Sequence, residues 1–198
     1  MVAKWTVFRD CPRPMMNAGS RLFVALSPSA PVAAALATLH EEIPGLRWTP
    51  PEEIHLTLRF IGGQRPETCD AIADALTHIR VKSFFLEVEG VGGFPERGDH
   101  RVLWAGVGNG HPLLHQLRQQ VDDTLLAAGV VFDLKPFVPH LTVGRCEHAP
   151  SDKIKQWLKR HRTFAGPIWP VSSFALWTSD VVDGRIRHRR IVKEYALG

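Results

Sequence analysis

A three-residue signature, His-Leu-Thr, occurs twice in this chain, as His55-Leu56-Thr57 and His140-Leu141-Thr142, 85 residues apart in the numbering. The segments around the two copies repeat in the same order. In the first half, Arg21–Leu26 is a β-type run closed by Ser27-Pro28, and Pro31 opens an Ala/Leu-rich stretch that predicts a helix over 31–41. A strand over Ile54–Phe60 ends at Gly62-Gly63, a helix fits 66–80, and a strand runs through 84–88. In the second half, Val102–Val107 is a strand closed by Gly108-Asn109-Gly110. A helix from Pro112 to about Ala128 sets Leu113, Leu114, Leu117, Val121, Leu125 and Leu126 largely on one face, and Gly129 caps it. A strand over 137–145, a helix over 151–161 and a strand near 171–177 follow. Residues 21–100 and 101–190 therefore read as two copies of a β-α-β-α-β unit, able to pack about a pseudo-twofold axis with equivalent strands side by side.

The spacing inside each signature carries chemistry. Residues two apart in a strand point to the same face. His55 and Thr57 then share one face and Leu56 and Leu58 the other; His140 and Thr142 share one face, with Leu141 and Val143 opposite. Apolar faces bury against helices, so the polar ones are left to line a groove. Each strand supplies an imidazole, with an ordinary pKa near ~6.5, and a hydroxyl that donates a hydrogen bond. One imidazole can take a proton from water while the other gives one to a leaving oxygen. The two hydroxyls can hold phosphoryl oxygens as charge builds on them. Such a set needs no metal and no cofactor. A single His-x-Thr is ordinarily a half-buried strand position with local hydrogen bonds; its duplication at matching points is what argues for function. The other eight histidines, among them His78, His100, His111 and His188, have no such pairing and read as surface residues.

The rest of the chain sets limits. Its 198 residues suffice for one substantial core or two small lobes, and 44% hydrophobic with 22% charged residues is ordinary for a globular protein. A net charge of +4 is compatible with anionic partners without demanding them. Cys11, Cys69 and Cys146 are isolated, which argues against a disulfide framework and a structural zinc site. Neither a membrane-length apolar run nor a secretory signal is visible, so a cytoplasmic protein is expected. Residues 1–20, broken by Cys11-Pro12-Arg13-Pro14, are expected to be a poorly ordered extension, with 21–198 forming a single domain of two lobes.

With these motifs in view, the chain resembles the RNA 2′,3′-cyclic phosphodiesterases, also called 2′–5′ RNA ligase-like proteins, of the two-histidine (2H) phosphoesterase superfamily. The resemblance runs from about Arg21 to Leu197. It rests on Arg21–Leu26, His55-Leu56-Thr57-Leu58-Arg59-Phe60, Leu103–Val107 and, most specifically, Phe137-Val138-Pro139-His140-Leu141-Thr142-Val143-Gly144-Arg145. It implies an α+β fold of two lobes with antiparallel sheets flanking a central basic cleft. It further implies hydrolysis of a 2′,3′-cyclic phosphate to a 2′-phosphate, with His55 as general acid, His140 as general base, and Thr57 and Thr142 on the phosphoryl oxygens. Arg145 would add positive charge there. Strict alternation sends Arg145 to the wrong face unless Gly144 permits a bulge, and it makes Arg59, in parity with His55 and Thr57, the rival. Phe60, Phe137 and Trp104 are candidates for stacking on a nucleobase. The basic stretches Lys153–Arg162 and Arg185–Lys193 could guide an RNA strand. Expected partners are RNA with cyclic phosphate ends or related cyclic nucleotides, the protein acting as a monomer. Reverse 2′–5′ ligation, a small cyclic-nucleotide substrate and a non-catalytic RNA-binding module are the alternatives.

Overall fold

The computed structural model describes residues 21–198 other than Asn109, Leu134, Asp183 and Gly184; the side chains of Pro66 and of 180–192 are also outside the description. The extension expected over 1–20 thus lies outside it, as do most side chains of the basic stretch 185–193. In chain order the elements are β1 (Arg21–Leu26), α1 (Ala30–Ala37), β2 (Leu46–Trp48), β3 (Leu56–Gly63), α2 (Pro66–Ala75), β4 (Phe84–Leu86), β5 (Val88–Phe94), β6 (Val102–Val107), α3 (Pro112–Ala127), β7 (His140–Cys146), α4 (Ser151–His161), β8 (Trp169–Val171), β9 (Ser173–Val182) and β10 (Arg185–Ala196). The expected alternation is present in both halves, and each closing strand is split in two.

An antiparallel sheet runs in the order β10-β9-β1-β3-β7-β6-β5, with β2 added along β7; β4 and β8 form a separate pair. The halves are interleaved: the last strand of the first half, β5, pairs with β6, and the last long repeat strand of the second, β9, pairs with β1. At the centre β3 meets β7 through Leu56 opposite Leu141, which are equivalent residues of the two repeats. In the small sheet Phe84 pairs with Val171 and Leu86 with Trp169, again an arrangement in which the repeats exchange places. The pseudo-twofold axis therefore passes through both sheets.

One face of the large sheet is covered by helices. Leu22, Val24, Leu26, Leu56, Leu58, Leu103, Ala105, Leu141 and Val143 point into that core, against Val32 and Leu36 of α1, Ile72 of α2, Leu114, Leu117, Val121 and Leu125 of α3, and Ile154 and Trp157 of α4. Burying each leucine contributes ~2 kcal/mol of transfer free energy. β1 reads as a continuous apolar run because its other face is covered too: Phe23 and Ala25 form a second cluster with Ala175 and Trp177. Helix α3 ends as expected, with Gly129 at φ 75°, its N–H donating to Leu126 O and that of Val130 to Leu125 O, a Schellman cap. No helix among the described residues is long and apolar enough to cross a membrane.

Two strands escaped the sequence reading. β10 is a charged edge strand with no alternating apolar pattern, formed by pairing on β9. β2 is three residues long and pairs with the far end of β7, Leu46 opposite Cys146, Arg47 opposite Arg145 and Trp48 opposite Gly144. The chain leaves β7 at Pro50-Pro51, which have no N–H for the ladder, makes a 3-10 turn over Pro51–Glu53, and returns as β3.

Candidate active site

The Leu56–Leu141 pairing determines where the four signature side chains fall. In an antiparallel pair, the residue before one partner faces the residue after the other. His55 is thereby placed opposite Thr142, and His140 opposite Thr57. The two leucines point into the core at 0% exposure, while His55, Thr57, His140 and Thr142 are half-buried on the other face. The histidines occupy a diagonal of this four-residue patch, where Cα atoms lie ~7–8 Å apart, and the threonines occupy the other diagonal.

Both rings are held the same way. His55 Nδ1 bonds the carbonyl of Glu53 at 2.7 Å, and His140 Nδ1 bonds that of Val138 at 2.7 Å. A carbonyl only accepts, so Nδ1 carries the hydrogen and Nε2 becomes the proton-exchanging nitrogen in each ring. Aromatic rings steady both. The His55 centroid is 4.9 Å from Phe23 and 5.6 Å from Trp177; that of His140 is 5.1 Å from Phe94, edge-on, and 6.4 Å from Trp104. Trp177 and Phe94 belong to β9 and β5, each two strands from the central pair, and hold matching register positions, opposite Phe23 and Val102. The Trp104 indole lies across β5, where a Cβ on Gly92 would sit 2.1 Å from Cζ2.

A bulge follows each signature. Along β1 the partner jumps from Arg59 to Thr57, leaving Leu58 extra; along β6 it jumps from Gly144 to Thr142, leaving Val143 extra. Two consecutive residues then face the helices, Leu58-Arg59 in one strand and Val143-Gly144 in the other, and alternation inverts beyond them. Parity predicted Arg59 beside His55 and Thr57; the bulge instead buries it to 7% exposure on the opposite face. There Nε and Nη2 donate to the Asp122 carboxylate at 2.7 and 2.5 Å, Nη1 donates to Asp133 O at 2.5 Å, and the guanidinium lies 4.2 Å above the Phe132 ring. Arg118 pairs with the same carboxylate from one turn earlier in α3.

Phe60 and Arg145, equivalent positions just past the bulges, both emerge on the histidine face and are exposed, Phe60 to 66%. The Phe60 ring lies 5.9 Å from that of Phe23, centroid to centroid, tilted by 44°. The Arg145 charge acts on His140: burial lowers that imidazole's pKa most, Arg145 lowers it further, and the bond to Val138 O only partly offsets them. Phe137 does not reach this face; its ring contacts His115 at 5.6 Å and lies beneath Arg118. Pro139 separates it from the strand that carries His140. The residues the sequence reading overlooked are Phe23, Phe94 and Trp177, apolar strand residues indistinguishable from core by pattern alone.

The family model for LigT-like phosphoesterases matches residues 26–104 and 107–188, one segment for each half, and the chain belongs to this family. It is 37% identical over 98 residues to an RNA 2′,3′-cyclic phosphodiesterase of Aeropyrum pernix, a match spanning 50% of this chain and 56% of that protein's length. To the protein of that name from Thermus thermophilus it is 35% identical over 173 residues, 81% of this chain and 82% of the relative. Among solved structures, Escherichia coli LigT complexed with 3′-AMP superposes with a TM-score of 0.72 at 25% identity, covering 90% of this chain and 98% of that one. The fold is thus that of the 2H phosphoesterases.

Proposed function

We propose that this protein hydrolyses 2′,3′-cyclic phosphate ends of RNA to 2′-phosphates, using His55 and His140 as an acid–base pair. The observation that carries the reading is the pairing of Leu56 with Leu141, which gathers two imidazoles and two hydroxyls from separate repeats onto one patch. The relatives' names supply the substrate class.

In this reading the cyclic phosphate sits over the patch, its non-bridging oxygens accepting hydrogen bonds from Thr57 and Thr142. His140, kept neutral by burial and by Arg145, takes a proton from water at Nε2. The water oxygen attacks phosphorus from one side. The P–O3′ bond breaks on the other, and O3′ leaves with a proton from His55 Nε2. Each ring ends in the other's starting protonation state, and solvent exchange resets both. Arg145 offsets the negative charge, and Phe60 offers its face to the terminal base. The asymmetry between equivalent positions, a cation beyond His140 and an aromatic ring beyond His55, is what supports assigning base to His140 and acid to His55.

The test is incubation of an oligoribonucleotide ending in a 2′,3′-cyclic phosphate, with the product read by phosphorus NMR. A 2′-phosphate formed in the presence of EDTA is expected. A 3′-phosphate, or activity that disappears in EDTA and returns with a divalent ion, rejects the mechanism.

A further inference from the structure

Past the point where β3 pairs, the same edge of β7 carries an unusual neighbour, β2, while β6 takes the opposite edge. Arg47 of β2 stands directly opposite Arg145 of β7. Its flanking residues settle its direction: Leu46 and Trp48 pack on the core, and Trp48 Nε1 donates to Glu41 O at 2.7 Å while its ring stacks on His40 at 4.7 Å. Alternation then turns Arg47 to the opposite face, which is the face of Arg145, His140 and Thr142. Like charges directly opposite one another destabilise a sheet, and neighbouring strands are only ~5 Å apart. The Arg47 charge is indeed felt at Arg145. Arg47 meets Glu147 at 3.3 Å, a contact left open to solvent with the arginine 43% and the glutamate 62% exposed. Arg145 has no ion pair among the described residues. Two arginines paired on one face of neighbouring strands place two positive charges where a single anion can neutralise both, displaced from the histidines toward the far end of β7.

We infer that Arg47 and Arg145 together hold the phosphodiester preceding the cyclic end, so that oligonucleotide ends are preferred over free 2′,3′-cyclic mononucleotides. The inference rests on the hydrolytic reading above and specifies its substrate. The terminal base lies toward Phe60, the cyclic phosphate over the histidines, and the next phosphate along the chain at the arginine pair. Arg145 serves both phosphates; Arg47 serves only the second.

The experiment compares wild type, Arg47→Ala and Arg47→Lys on two substrates, a short oligoribonucleotide 2′,3′-cyclic phosphate and 2′,3′-cyclic AMP. For Arg47→Ala, kcat/KM on the oligonucleotide is expected to fall about tenfold, mostly through KM, the scale of one charged hydrogen bond. The loss on the mononucleotide should stay within about twofold. The salt dependence of oligonucleotide KM should become shallower by ~0.7 in log–log slope, one phosphate contact fewer on a single strand. Arg47→Lys should recover part of the loss. Equal losses on the two substrates, or none on either, overturn the inference. A wild-type protein that opens neither substrate overturns the underlying reading instead.

Discussion

Leu56 and Leu141, the middle residues of the two signatures, face each other across the pairing that joins β3 to β7. Each is fully buried, and each turns its flanking histidine and threonine outward. A one-residue slip of either strand would carry its own histidine and threonine into the core and its leucine to the surface, so burial of the leucines enforces the register of the patch. The same pairing sets each histidine opposite the other repeat's threonine, so the four-residue patch exists only where the two repeats meet.

Removing either imidazole should abolish most turnover. His55→Ala and His140→Ala are each expected to lower kcat on an oligonucleotide cyclic phosphate by ~100-fold or more, with far-ultraviolet circular dichroism unchanged. Retention of near wild-type rates with weakened RNA affinity would mean a binding module.

The pH dependence has a direction. Burial, then the Arg145 charge, depress the His140 pKa, so this imidazole, the proposed base, is neutral down to more acidic pH than an ordinary histidine. Arg145→Gln relieves the charge contribution, and the His140 pKa rises toward ~6.5. The acidic limb of the kcat/KM profile should therefore move to higher pH. An unmoved limb, measured between pH 4.5 and 8 as the assay range, would separate Arg145 from His140.

Thr57→Val and Thr142→Val keep shape while deleting one donor each. A loss of ~100-fold in kcat is expected from either, the scale of one oxyanion donor. Urea denaturation midpoints should change little, because both hydroxyls sit on a half-buried face. A large stability loss with intact kcat would assign them to the scaffold.

Asp122 holds two buried cations, Arg59 from β3 and Arg118 from its own helix. Burial alone would raise its pKa, but the hydrogen bonds from both arginines outweigh that and the net shift is downward. Its stabilisation is present above the ordinary carboxylate pKa and is lost as pH falls through the depressed folded value. Asp122→Ala should cost ~3 kcal/mol at neutral pH, read as a lower urea midpoint, by leaving two buried charges unpaired. A near-neutral result would show that the arginines relax to solvent.

The sequence by itself determined the repeat, the alternation of strands and helices, and the face shared by histidine and threonine within each signature, because each is a local property: a period of two, a proline opening a helix, a signature copied 85 residues on. Parity misplaced Arg59, since the bulges at Leu58 and Val143 are visible only against the partner strands that skip them. Arg145 reaches the histidine face for the same reason, and Phe60 with it. Phe137 was displaced from the site because its place follows from packing on α3, not from nearness to His140 in the chain. Arg47 could not have been found from the linear order, being joined to Arg145 by hydrogen bonds between strands far apart in sequence. Side-chain direction along one strand follows from covalent geometry, whereas which strands meet, and in what register, is settled by burial of the whole core.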